Sequence, residues 1–163
     1  MQNQTQDTVT AAREKAVRGE GISWRRLPPV VLLAAFGAAV LNAIIYFVAS
    51  GLGLIPQSVL ISAPGGEQPL TVALVLIGSV VGVLGAAMVF ALVGALAKRP
   101  VRMFRIVAAV VLVLSLASPL TIPGAPLSMV LSLEVMHVAA WAVIVGLLTT
   151  LARRTGPADA RSG

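Results

Sequence analysis

Apolar residues fall into four long blocks along this chain, and no block keeps the polar face that a water-soluble helix presents. The blocks cover about residues 29–49, 69–97, 103–120 and 127–152. At the helical rise, the first block extends roughly 31 Å, enough to cross a hydrocarbon core. The pattern predicts an all-α fold, a polytopic membrane four-helix bundle. Prolines punctuate it. Pro28 and Pro29 sit where the first helix begins and a missing amide hydrogen costs nothing. Pro69 opens the second block, Pro100 marks the turn before the third, and Pro119 and Pro123 bound the loop TIPGAP before the fourth. The second block is long for a perpendicular crossing and predicts tilt. The third is short, so part of TIPGAP is expected to dip into the interface.

Composition agrees with this pattern. Hydrophobic residues make up 58% of the 163 positions and charged residues 11%, whereas a soluble domain carries about 25% charge. So few charges cannot cover a water-facing surface, and the solvent for the blocks must be lipid. Three regions follow: residues 1–26 as a mobile basic cytoplasmic segment, 27–152 as the membrane domain and 153–163 as a disordered cytoplasmic tail. A cleaved signal peptide is the rival reading of the first block. Its apolar stretch is too long for that, and it contains Asn42.

The net charge of +6 is distributed in an all-or-none way. Lysine and arginine occur before the first block, in the turn Lys98, Arg99, Arg102 and Arg105, and after the fourth block. The alternate loops hold none. This is the positive-inside pattern, and it predicts that both termini are cytoplasmic. The basic residues are expected to meet anionic headgroups of membrane lipids. They lack the aromatic interleaving and the binding module of a nucleic-acid surface, so no nucleic acid is expected. Cysteine is absent, which removes disulfides and thiolate metal sites.

Inside lipid, close approach and polar links bind helices together more than apolarity does. Gly78, Gly82 and Ala86 recur every fourth residue in the second block, beside Gly85, and predict a helix-packing face. The first block carries a comparable band in Ala34, Ala35, Gly37, Ala38 and Ala39.

Glu134 is the sole acid within a block, and His137 follows three residues later on the same helical face. A carboxylate turned to lipid costs at least several kcal/mol, so Glu134 is expected to face protein or an aqueous vestibule. Asn42 lies at a matching depth in the first block, and Ser115 near the end of the third completes an intramembrane polar cluster that Ser79 and Ser118 can join. Three readings stay open for it: hydrogen-bonding glue, a path for protons or a small cation, and contact with another membrane protein. Glu134 and His137 have the spacing of ligands in carboxylate-bridged metal bundles, but no second histidine or embedded acid completes a metal site. No phosphate loop, dinucleotide motif or nucleophile relay is present, so neither a cofactor nor a catalytic set is expected.

These segments carry a resemblance. The stretch from Asn42 to Tyr46 (NAIIY), that from Ser115 to Pro119 (SLASP) and that from Leu133 to Ala140 (LEVMHVAA) resemble a family of small bacterial membrane proteins known as a domain of unknown function. The resemblance covers roughly residues 27–152. It implies four spanning helices in a bacterial cell membrane, and no reaction or ligand. The expected role is that of a noncatalytic structural or accessory bundle, partnered by a second copy of itself or by another envelope protein. The alternative is a small proton- or cation-linked transporter that uses Glu134 and His137, as a homodimer.

Overall fold

Each apolar block folds as a helix whose start is set by its own first residues. In the computed structural model, which describes residues 22–152, helix α1 covers Leu27–Gly51 with Pro28 and Pro29 in its first turn. Helix α2 covers Val72–Leu96, and the Thr71 side chain before it accepts a hydrogen bond from the Leu74 amide at 3.4 Å. Helix α3 covers Pro100–Leu116 and continues into a 3-10 turn at Pro119–Thr121. Helix α4 covers Leu127–Leu151. Residues 1–21 of the N-terminal segment expected to be mobile over 1–26, and the tail over 153–163, lie outside the described residues.

The third helix begins three residues earlier than the apolar pattern suggests. Pro100 fixes the first turn, and Arg102 and Arg105 are drawn into the helix rather than left in the turn. Long arginine side chains allow this, because the stem lies along the helix while the guanidinium reaches the interface. The TIPGAP region supplies the missing length. Pro119 is buried, and Ile122 and Ala125 pack on the loop end of the bundle.

The segment between α1 and α2, expected as a plain loop, holds an antiparallel hairpin. Strand β1 (Leu60–Ala63) pairs with β2 (Gly66–Pro69) in the register Ile61 to Gln68 and Ser62 to Glu67. Pro64 presets the first central residue of the turn. Gly65 takes the positive φ of 106° that the second requires. Val59 and Leu70 flank the hairpin and are buried with Tyr46, Ala49 and Met129, so the hairpin caps one end of the bundle.

The core is a seam along α1. Val30, Ala34, Ala38, Asn42 and Tyr46 recur every fourth residue and all are buried, Ala34 and Ala38 completely. Small side chains there let α2 and α4 approach closely. The outer surface is the reverse of a soluble protein's. Phe36 on α1, Met88 on α2, Val113 on α3 and Leu127 on α4 are each 69–70% exposed. With such side chains outward on four helices that are each long and apolar enough to span a bilayer, the surrounding medium is lipid.

At the other end, the Ser23 amide donates to the Ala152 carbonyl at 2.8 Å, joining the approach to α1 with the end of α4. Ile22 packs into the same cluster, against Gly94 of α2, where an added Cβ would collide with the isoleucine side chain.

Candidate functional site

Asn42 is the polar residue of the α1 seam, and its depth follows from the four-residue repeat that buries it. Its Nδ2 donates to Ser79 Oγ on α2 at 3.0 Å, and Ser79 Oγ donates to the Val75 carbonyl at 2.8 Å. The link therefore ties α1 to α2, and not to the fourth helix as the matching depths had allowed. Asn42 is 6% exposed, and its Oδ1 is buried without a hydrogen-bond partner. Tyr46, one turn further, donates from its hydroxyl to the Leu70 carbonyl at 3.1 Å and anchors the entry to α2.

Asn42 and Ser79 border a half-open cavity of about 650 Å³ between α2, α3 and α4. Its origin lies in how α3 is held. Pro100 and Phe104 are the only buried residues of that helix. The Phe104 ring meets Phe90 edge-on, with centroids 4.8 Å apart. Arg105 Nη2 donates to Thr149 Oγ1 at 3.3 Å, and Trp141 Nε1 donates to the Ala108 carbonyl at 3.0 Å. Beyond Ala108 no side-chain hydrogen bond ties α3 to α2 or α4 among the described residues until the chain returns at Pro119, and the space left between them is the cavity.

The glycine stripe lies on that space. A Cβ added at Gly78, Gly82 or Gly85 would meet nothing within 4 Å, and all three line the cavity, as does Ala86. At these glycines, the face expected to receive a neighbouring helix thus borders the half-open cavity. Close packing of glycine occurs elsewhere, at Gly94 against Ile22 and at Gly37, where an added Cβ would stand 3.3 Å from Val143.

The predicted polar cluster is divided. His137 and Ser115 line the cavity together with Asn42. Ser115 Oγ donates to the Val111 carbonyl of its own helix at 2.8 Å, and His137 Nδ1 lies 2.7 Å from the Leu133 carbonyl of its own helix. A carbonyl only accepts, so Nδ1 carries the hydrogen and the Nε2 of the neutral ring is an acceptor. Glu134 does not line the cavity. It is half-buried on the α4 face that also carries Leu127, Leu131 and Val138, three exposed side chains. Among the described residues it makes no hydrogen bond or ion pair. Among the same residues, no group of three or more histidine, cysteine, aspartate or glutamate side chains could hold a metal ion.

Two site residues escaped sequence reasoning. Trp141 follows His137 by four residues, so its place on the same face was readable, but its bond to the Ala108 backbone was not. Thr149 is buried and receives Arg105; a threonine late in an apolar helix gave no signal of that.

A family model described as a family of unknown function, DUF6069, matches residues 22–154. No curated protein matches the chain, and no solved structure matches it.

Proposed function

The chain belongs to the DUF6069 family of unknown function and is a bacterial multi-pass membrane protein, and on that premise we propose that it acts as a noncatalytic accessory bundle that docks against another membrane-spanning helix through the Glu134 face of α4. The observation that carries this reading is the position of Glu134. A carboxylate about 10 Å along α4 from Leu127 lies within the apolar layer. It shares its face with lipid-exposed Leu131 and Val138. Left to lipid, such a group is costly, and a partner helix that brings a hydrogen-bond donor or a cation to this depth removes the cost. The partner is an envelope protein or a second copy of the chain.

A photoreactive residue placed at Leu131 in native membranes tests the proposal. A discrete cross-linked product that disappears in Glu134→Leu supports docking. Diffuse lipid labelling that is the same in both proteins removes it.

The second reading, a proton- or cation-linked transporter operating as a homodimer, requires Glu134 and His137 on one route. His137 borders the cavity and Glu134 stands beside the lipid, so a second copy would have to join them. Proteoliposome flux that is lost in Glu134→Gln would favour transport over docking alone.

We also place both ends of the chain in the cytoplasm. The approach to α1, the α2–α3 turn with Lys98 and Arg99, and the end of α4 carry the basic residues, while the hairpin carries Glu67. Because the chain has no cysteine, a single cysteine at exposed Gln57 or Ser58 gives a clean test. Labelling of whole cells by an impermeant maleimide is expected there, and none at position 98.

A further inference from the structure

We propose that the half-open cavity and the basic turn between α2 and α3 form one binding site for an anionic phospholipid. Its phosphate meets Lys98, Arg99 and Arg102, and an acyl chain lies against the glycine stripe of α2. The floor of the cavity is α4, where the lining residues Met136, Ile144 and Val145 are buried. The rims are exposed, at Gly82, Gly85 and Met88 on α2 and at Val111 on α3. The mouth therefore lies between α2 and α3 and opens to lipid. The glycines contribute no side chains to fill the groove, and no lysine, arginine, aspartate or glutamate lines it. Its volume of about 650 Å³ is within the range of ligand pockets.

Charge at the end of the groove selects the headgroup. The turn stands below the mouth because it joins the two helices that form the rims. Lys98, Arg99 and Arg102 are exposed there, and among the described residues none of them makes a hydrogen bond or ion pair. The described residues contain two acids, and both are remote from this turn. Glu67 belongs to the hairpin at the other end of the bundle, and Glu134 lies about 10 Å along α4 from that same end. A phosphate supplies the missing opposite charge, and the planar guanidinium is suited to its oxygens. Depth agrees with this placement. By helical rise from Leu96, Met88 lies about 12 Å and Gly85 about 16 Å into the layer, and half of a hydrocarbon core is about 15 Å. A lipid with its phosphate at the turn therefore runs its chain past Met88 and ends it beside Gly85 and Gly82. The chain of a zwitterionic lipid fits the same groove, but its headgroup carries no net charge for the turn to attract.

The test uses the full chain in phosphatidylcholine nanodiscs that contain a trace of photoreactive lipid, either phosphatidylglycerol or phosphatidylcholine, with a diazirine near the end of the same acyl chain. The phosphatidylglycerol probe should label residues 82–88 and 107–111. The phosphatidylcholine probe should label them about tenfold less, since each basic residue near an anionic headgroup is worth about fivefold. In the double variant Arg99→Gln, Arg102→Gln the two probes should label alike. Gly85→Leu projects a side chain into open space and leaves the turn intact, and it should abolish labelling at 107–111. The two variants alter different ends of the site, so a folding defect in one leaves the other decisive. Equal labelling by both probes in the unaltered chain would mean that the groove takes any lipid. Labelling unchanged in Gly85→Leu would mean that the turn attracts headgroups without the groove. A photoreactive residue at position 85 that joins two copies of the chain would mean that a helix fills the groove. Each of these results overturns the proposal. Since the site does not involve Glu134, Glu134→Leu should leave labelling unchanged even if it abolishes docking.

Discussion

The α1 seam and helix α3 show two ways of holding a helix inside a membrane. Along the seam, Ala34 and Ala38, continued at four-residue spacing by Val30, Asn42 and Tyr46, bring α1 against α2 and α4, and the hydrogen bonds of Asn42 and Tyr46 are added to those contacts. Helix α3 is instead fastened near its start by an aromatic pair and two hydrogen bonds, and again beyond its end at Pro119. Lipid offers no hydrophobic gain for bringing helices together. A helix without a small-residue seam is therefore secured only where specific groups meet, and a cavity can persist between those points.

The largest effect is expected in the seam. Ala38→Leu inserts three heavy atoms into a completely buried position and should cost about 3 kcal/mol in equilibrium unfolding from mixed micelles. A loss as small as that of a lipid-facing substitution would show that the seam is loose. Next comes the principal fastening of α3. Phe104→Ala should cost about 2 kcal/mol, below the range for aqueous cores because lipid removes much of the transfer contribution. It should also broaden the distance distribution between spin labels at Val81 and Val113, measured by electron double resonance, while labels on α1 and α4 keep theirs. Trp141→Phe removes one interhelical hydrogen bond and should cost about 0.6 kcal/mol in the same unfolding measurement. The smallest effect belongs to the cavity wall. Gly82→Ala meets nothing and should change stability by no more than about 0.5 kcal/mol. A loss of several times that would place a helix against the glycine stripe and erase the distinction between the two regions.

How much of this was readable from the sequence varied with the physical signal. Helix positions were readable to within a few residues, because length and apolarity alone decide what can span lipid, and proline marks the starts. The early beginning of α3 was not readable, since arginines in an apolar helix violate hydropathy and are tolerated only through their reach to the interface. The hairpin was hidden because β1 and β2 are four residues each and lack a strong alternating pattern. Its turn residues, Pro64 and Gly65, were the available signal. For the candidate site, Asn42, Ser115 and His137 stood out as polar residues in apolar blocks, and the cavity gathers all three. Their hydrogen bonds depend on helix rotation, which a sequence with weak helical periodicity does not encode. The glycine stripe shows the same limit. Spacing reports that a face is flat, and only the neighbouring helix's position decides whether that face is packed or left open.

The backbone bond between Ser23 and Ala152 means that the described chain closes into a ring in space although it is linear in covalent connection. Joining those two residues through a short linker and opening the chain in the Lys98–Arg99 turn would give a circular permutant in which every helix keeps its neighbours. Its new ends would flank α3 and leave the seam helices covalently continuous, so the order in which the bundle assembles could be separated from the order in which its helices enter the membrane.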